Sequence, residues 1–321
     1  YALVNHLNGS LQVKDVDYVA SLNRFKGVKA QYHYNRLLGL ENTQFVNKNI
    51  NKRNIDNRLE VLNSKLTLPT QLLNVNSFTS DDLRNLFSVA MKLKQTIQNT
   101  IQIAGSSSYN DVTHILKGKC IGMLFQEPSS RTYLSFSSAI ARLGGTTINL
   151  ELSKSSIMKG ESLEDTFMTF QTYVDAIVIR MSDSSLFDLI KRNNKCKIPI
   201  INAGCGRESH PTQALLDILT IREERGTVNG LELSIVGDLK NGRTVKSLLR
   251  ILRQYRVKVN LVPYNDYLYP NEEFLNNIQR SGVVIERFNS LHEVIKNSDV
   301  IYMTRMQKER GSIGDVFILN T

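Results

Sequence analysis

The sequence predicts an α/β fold of two domains, each a mostly parallel sheet flanked by helices, joined by a long helix. Three observations carry this. From residue 78 onward, strand-sized apolar runs alternate with helical apolar stripes, which implies parallel sheets covered by helices. Near residues 222–230 the alternation breaks at Gly226 and Gly230, with one long helical segment before the break. A length of 321 residues, 41% hydrophobic and 22% charged, supplies apolar material for about two domains with a core.

Residues 1–71 read as a basic, Asn- and Lys-rich N-terminal extension. Residues 1–70 hold ten Lys and Arg against five Asp and Glu, half of the net charge of +10. The chain opens on Tyr1 rather than Met, which points to trimming upstream. The first domain is expected over 72–210. Ser80-Asp-Asp-Leu is N-cap chemistry before a helical stripe of Leu86, Val89, Ala90 and Leu93. Residues 119–125 read as a buried strand. Phe136, Ala139, Ile140 and Leu143 then repeat at helical spacing, until Gly144-Gly145 stops the helix. A second unit places Leu163, Phe167, Phe170 and Val174 on one helical face before the strand Ala176-Ile-Val-Ile. A third runs from a strand over 198–201 to a helix opened by Pro211, a residue well suited to the first helical position. Residues 211–225 form the linking helix and 226–321 the second domain. Strands are expected there at 232–236, 257–262 and 300–303, with helices along Val245, Leu248, Leu249 and Leu252 and around 291–295.

Composition removes several function classes. No run approaches the roughly 18 consecutive apolar residues of a membrane helix. Cys120, Cys196 and Cys205 have neither paired nor metal-type spacing, so no disulfide framework, metal or zinc site is indicated, and a reducing cytoplasmic setting fits. The positive charge suits a nucleic-acid binder or an enzyme of anionic metabolites. Against nucleic acid, the aromatic residues sit in helical core stripes instead of interleaving with basic ones along one face.

In parallel α/β sheets ligands bind beyond the carboxyl ends of strands, so the loops there carry the chemistry. The first, Phe125-Gln-Glu-Pro-Ser-Ser-Arg-Thr, ends a strand and opens a helix. Free helix N–H groups, the hydroxyls of Ser129, Ser130 and Thr132 and the Arg131 guanidinium can converge there on a phosphate; a Ser/Thr-rich cap with a solvated Arg would present the same residues. The second, from Ser153 through Lys159-Gly160, offers a cation able to close over an anion, or is an ordinary surface loop. Arg180 ends an apolar strand and needs an anionic partner, as ligand or as salt bridge. The fourth, Asn202-Ala-Gly-Cys-Gly-Arg-Glu-Ser-His-Pro-Thr-Gln, sets His210 at a strand-to-helix crossing with Gln213 one turn on. His210 is either a donor to a carbonyl oxygen or a helix cap. The fifth, Val236-Gly-Asp-Leu-Lys-Asn-Gly-Arg, lacks the G-x-G-x-x-G spacing of a dinucleotide turn and suits a carboxylate clamp through Arg243. The sixth, Thr304-Arg-Met-Gln-Lys-Glu-Arg, offers Arg305, Gln307 and Arg310.

Together Glu127-Pro-Ser-Ser-Arg-Thr, Lys159-Gly-Glu-Ser, His210-Pro-Thr-Gln-Ala-Leu-Leu-Asp, Gly237-Asp-Leu-Lys-Asn-Gly-Arg-Thr-Val and Thr304-Arg-Met-Gln-Lys-Glu-Arg resemble the successive signatures of carbamoyltransferases over about residues 72–310. The last two resemble the aspartate branch. The resemblance implies a carbamoyl phosphate-binding first domain and an aspartate-binding second domain. It implies that Ser129, Ser130, Arg131, Thr132 and Arg180 hold the phosphate, and that Arg131, Thr132 and His210, the catalytic set, address the carbonyl oxygen. Gln213 would hold the carbamoyl amide, and Arg243, Arg305 and Gln307 would orient L-aspartate. Ser155 and Lys159 would enter the site of the adjacent subunit in a homotrimer, and Glu127 would latch to Arg243 and Arg310 on domain closure. The chemistry, attack by the neutral amine of aspartate on a polarised carbonyl, needs no cofactor.

Departures from the resemblance are Ser130 where Thr is frequent, Tyr133 where Arg is frequent, Cys205 in place of Asp, and Lys246 in place of His. The family also continues past the sixth motif with a His-Pro-Leu-Pro loop and a final helix, whereas residues 311–321 follow Arg310 directly, so a C-terminally truncated chain is expected. An ornithine-specific relative is the nearest rival; two arginines suited to two carboxylates weigh against it.

Overall fold

The computed structural model describes residues 71–102, 112–182, 184–193, 196, 198–206 and 209–304. In chain order the first elements are Gln71–Leu72 (β1), Ser80–Gln102 (α1), Cys120–Phe125 (β2), Ser130–Arg142 (α2) and Thr146–Leu150 (β3). Two short 3-10 turns, Leu152–Lys154 and Ser156–Lys159, lead to Leu163–Phe170 (α3), Ala176–Met181 (β4), Ser185–Asn193 (α4), Ile200–Cys205 (β5) and Pro211–Arg225 (α5). The remainder is Glu232–Gly237 (β6), Arg243–Leu252 (α6), Lys258–Pro263 (β7), Glu272–Gln279 (α7), Val284–Arg287 (β8), Leu291–Val294 (α8) and Val300–Met303 (β9). These strands form two wholly parallel sheets, ordered β1-β5-β4-β2-β3 and β8-β7-β6-β9.

The first sheet is apolar on both faces because helices cover both. On one side Leu124, Ile177, Ile179, Met181 and Ile200 meet Phe167 and Phe170 of α3 and Leu186 and Ile190 of α4; on the other, Ile121, Met123, Val178 and Ala203 meet Ile140 of α2. Gly122 lies under α3, where a Cβ would stand 2.7 Å from the Phe170 ring, so a larger residue there would push the helix off the sheet. In each sheet the strand order reverses once, between β2 and β4 in the first and between β6 and β9 in the second. Such a reversal opens a crevice beyond the carboxyl ends of the two strands, where ligands bind in open α/β sheets.

Several boundaries differ from the sequence reading. The cap of α1 is Thr79, not Ser80: Asp82 N donates to Thr79 Oγ1 at 3.2 Å while Thr79 N donates back to Asp82 Oδ2 at 2.9 Å. Helix α3 ends at Phe170, so Val174 reaches the core from the following turn. Strand β5 begins at Ile200 and extends through Asn202-Ala-Gly-Cys, residues that resemble turn chemistry yet are buried in the sheet. Strands β3 and β8 have no apolar signature, since most of their residues are exposed at a sheet edge.

Chain order and compactness divide the molecule differently. One compact unit holds residues 71–216 with 241–254, the other 217–240 with 255–304. Helix α6, which follows a strand of the second sheet in sequence, therefore belongs to the unit of the first. Among the described residues, no helix is long and apolar enough to cross a membrane.

Candidate active site

The reversal point of the first sheet gathers charge. Beyond β2, Gln126 N donates to the Arg180 carbonyl at 2.9 Å, which holds the start of the first loop against β4. Arg180, 6% exposed, sends NH2 to Glu127 Oε1 at 2.7 Å and NH1 to the Ala203 carbonyl at 3.1 Å. Arg243, in the first turn of α6 and 8% exposed, grips the same carboxylate with both ends of its fork. NH2 donates to Oε1 at 2.8 Å and NH1 to Oε2 at 2.9 Å, and NH1 also reaches the Gly206 carbonyl at 2.8 Å. Charge-assisted, bidentate pairs of this kind are the strong class of hydrogen bond, and breaking one by removing a partner typically costs about 3–5 kcal/mol. Two guanidiniums against one carboxylate leave a net positive charge at the site.

Gly204 allows these groups to meet. Its φ is +116°, and a Cβ there would lie 2.5 Å from Arg180 NH1, 3.2 Å from His210 Cδ2 and 3.3 Å from Arg243 Cζ. A side chain would occupy the space where the three converge.

His210 serves as cap and site residue at once. Its carbonyl receives Gln213 N and Ala214 N at the start of α5, and its own N–H donates to Ser247 Oγ of α6 at 2.8 Å. The imidazole is buried and lies among cations. Burial first, then the Arg243 and Arg180 charges, lower its pKa to about 3, with Glu127 opposing. It is therefore neutral at physiological pH, so one ring nitrogen donates while the other accepts; Thr212 Oγ1 lies 3.4 Å from Nδ1. A neutral imidazole can donate to a carbonyl oxygen without bringing a third cation against Arg180 and Arg243.

The first loop, which opens α2, has the features of an anion site. Ser129 precedes α2 with extended backbone and makes no side-chain cap, its hydroxyl donating instead to Thr132 Oγ1 at 3.0 Å. The first turn of α2 contains no acidic residue, and the same is true of α5 and α6. The first turns of α1, α3, α4, α7 and α8 all do. Carboxylates normally settle at helix N-termini because the macrodipole is positive there. The three helices that open beside Glu127, Arg180 and His210 lack such a carboxylate in the first turn, which suits those ends to an anion.

The remaining expected residues fall as follows. Arg131 is exposed in the first turn of α2, Thr132 is half-buried beside it, and Gln213 is half-buried one turn into α5. Ser155 caps the second 3-10 turn, accepting from Ile157 N at 3.3 Å and donating to the Leu152 carbonyl at 2.8 Å; Lys159 is exposed at its end. Arg305, Gln307 and Arg310 lie outside the described residues. Of the latch, the structure brings together Glu127 and Arg243, and adds Arg180 to the same carboxylate. Tyr133 packs edge-on against Phe125 with ring centroids 5.4 Å apart and donates to Asn149 Oδ1 at 2.9 Å. Sequence reasoning missed Asn202, Gly204 and Ser247; the Asn-Ala-Gly run ending a strand was the one signal for the first two. Among the described residues, no group of three or more His, Cys, Asp or Glu stands where it could hold a metal ion.

Comparison with known proteins follows the same two-part organisation. The family profile "Aspartate/ornithine carbamoyltransferase, carbamoyl-P binding domain" matches residues 70–223, and "Aspartate/ornithine carbamoyltransferase, Asp/Orn binding domain" matches residues 229–315. The multifunctional protein CAD of Squalus acanthias is 45% identical over 240 residues, 74% of this chain and 10% of that protein, so the chain spans about a tenth of that relative's length. The aspartate carbamoyltransferase catalytic subunit of Picrophilus torridus is 40% identical over 242 residues, 74% of each chain. The crystal structure of aspartate transcarbamoylase from Trypanosoma cruzi in complex with carbamoyl aspartate and phosphate superposes with a TM-score of 0.68 at 38% identity, covering 76% of this chain and 77% of that one. By both profiles and by these relatives, the chain belongs to the aspartate/ornithine carbamoyltransferase family, on its aspartate carbamoyltransferase branch.

Proposed function

We propose that the chain transfers the carbamoyl group of carbamoyl phosphate to the amino nitrogen of L-aspartate, giving N-carbamoyl-L-aspartate and phosphate, an early step of pyrimidine biosynthesis. The observation that carries the reading is the convergence of Arg180, His210 and Arg243 on Gly204, beside a helix N-terminus without carboxylates. The Trypanosoma cruzi relative has been crystallised with carbamoyl aspartate and phosphate, the two products of this reaction.

In this reading Ser129, Ser130, Arg131, Thr132 and Arg180 receive the phosphate, while Gln213 holds the carbamoyl amide. The neutral amine of aspartate attacks the carbonyl carbon. Charge gathers on the carbonyl oxygen, where Arg131, Thr132 and the neutral imidazole of His210 donate to it. The tetrahedral centre collapses as the bond to the phosphate oxygen breaks. The nitrogen sheds a proton, for which the departing phosphate is a base of suitable strength near neutral pH. Arg243, Arg305 and Gln307 take the aspartate carboxylates, and Arg310, by joining the pair that Glu127 already makes with Arg243, completes the latch on domain closure. The chain works as a homotrimer in which Ser155 and Lys159 serve the neighbouring subunit. The exposure of Lys159 and of Met158, at 71%, supports this, because a donated segment has to stand clear of its own fold. A cytoplasmic setting is supported by Cys120, Cys196 and Cys205 standing outside any disulfide.

The test is an assay of the purified chain with carbamoyl phosphate and either aspartate or ornithine, beside a native mass measurement. Carbamoyl aspartate from a trimer is expected, and Arg131→Ala should lower turnover by about 100-fold or more, the usual cost of an oxyanion donor. Preference for ornithine, or full turnover in folded Arg131→Ala, overturns the assignment.

A further inference from the structure

The side chain that builds the fourth loop is one that neither the motif nor the mechanism uses. Asn202 lies in β5 and is 1% exposed. Its amide makes three hydrogen bonds: Nδ2 donates to the Leu73 carbonyl at 2.8 Å and to Ser209 Oγ at 2.9 Å, and Oδ1 accepts from Gly204 N at 2.8 Å. Each partner matters to the site. Leu73 directly follows β1 and is 129 residues away in sequence. Ser209 immediately precedes His210 and takes Cys205 N on its carbonyl at 3.0 Å. Gly204 is the point on which Arg180, His210 and Arg243 converge; its φ is positive and its N–H is held by Asn202. Ala203, between the two, supplies the carbonyl that holds Arg180 NH1. Opposite this stretch the β4–β5 ladder shifts register between Ile179 and Met181, so the sheet's own hydrogen bonds leave this stretch irregular.

We propose that Asn202 is a positioning residue for carbamoyl transfer, clamping the β5–α5 loop to Leu73 so that Arg180 and His210 meet around Gly204. The role rests on the proposed activity, and it acts through the loop without touching substrate. It also gives the short strand β1 a purpose, since β1 brings the Leu73 carbonyl into register beside β5.

Asn202→Asp tests this. It keeps the size of the side chain and the acceptor for Gly204 N, but turns the donor aimed at Leu73 into an acceptor. The expected result is a loss of about 100-fold in kcat/KM for carbamoyl phosphate, the scale of a 1 Å misplacement. By NMR, the His210 imidazole should titrate nearer 6.5 than about 3 as the loop opens to water. A lowered melting temperature with kcat/KM and the His210 titration both unchanged would mean a structural role alone and would overturn the proposal. Should Asn202→Asp not fold, Ser209→Ala decides, because it removes one partner and leaves the other two bonds. A loss of about tenfold in kcat/KM, with melting within roughly 2 °C of the parent, supports the clamp, and parental kcat/KM overturns it. The parent chain is the control. If it transfers no carbamoyl group, the activity reading fails, and the NMR titration still tests the clamp.

Discussion

Helices α2 and α3 begin alike in sequence and oppositely in electrostatics. Both follow a serine. At α3, Ser162 caps in the ordinary way, accepting from Asp165 N at 3.0 Å and donating to Asp165 Oδ2 at 2.7 Å, and Glu164 and Asp165 offset the dipole. At α2, Ser129 makes no cap and no carboxylate is present. The difference shows what separates a site from a cap. A hydroxyl at a helix start is uninformative, whereas a helix start left without its usual negative charge, next to a surplus of arginine, is built for an anion.

The comparison breaks most directly by giving α2 what α3 has. Ser130→Asp should leave the fold intact and lower kcat/KM for carbamoyl phosphate by about 1,000-fold, since like charges about 4 Å apart near a protein surface repel by roughly 4 kcal/mol. Steady-state kinetics with the phosphate substrate varied would show it, and unchanged kinetics would end the electrostatic reading of α2.

A second test uses the cap of α5, where His210 stands in place of a carboxylate. Its pKa is about 3 in the folded chain against an ordinary 6.5, so between those values the unfolded chain binds a proton that the folded chain does not. Stability is then full above about pH 6.5 and declines by roughly 1.4 kcal/mol per pH unit as pH falls towards 3. Between pH 7 and 5 the unfolding free energy should drop by about 2 kcal/mol more in the parent than in His210→Gln, read from urea titrations at both pH values. Parallel curves would mean that the imidazole is not held neutral by its surroundings.

At α3 itself, Ser162→Ala should cost about 1 kcal/mol of stability and leave kcat and KM unchanged. A kinetic effect there would blur the distinction between cap and site. The smallest change is expected one turn on. Thr166 is 7% exposed, and its hydroxyl is buried with no hydrogen-bond partner. Thr166→Val should therefore raise the melting temperature slightly, by the equivalent of up to about 1 kcal/mol, because an unpaired buried hydroxyl is replaced by a methyl of similar shape.

Most of the fold was legible because β2, β4, β6 and β7 are buried on both faces and read as mostly apolar runs, with Ser234 and Asn260 the buried polar residues inside β6 and β7. Strands β3 and β8 were not, since an exposed edge strand such as Thr146–Leu150 has neither alternation nor an apolar run. Strand β5 was read too short for the opposite reason: Asn202 and Gly204 are turn formers by local propensity, and tertiary hydrogen bonds hold them in a sheet. At the site, the residue types that bear charge were visible as loop-end arginines and a histidine. Their sharing was not. That Arg180 and Arg243 both claim Glu127 depends on α6 lying with the first sheet, which no local pattern encodes.

The placement of α6 also bears on the order in which the chain is made. Glu127 and Arg180 are both made by the end of β4, but Arg243 is 116 residues behind Glu127. Until then the Gly206 carbonyl lacks its Arg243 donor and the His210 N–H lacks Ser247. A nascent chain that has completed all five strands of the first sheet still lacks Arg243, so the carboxylate of Glu127 gains its second arginine only after β6 has been made.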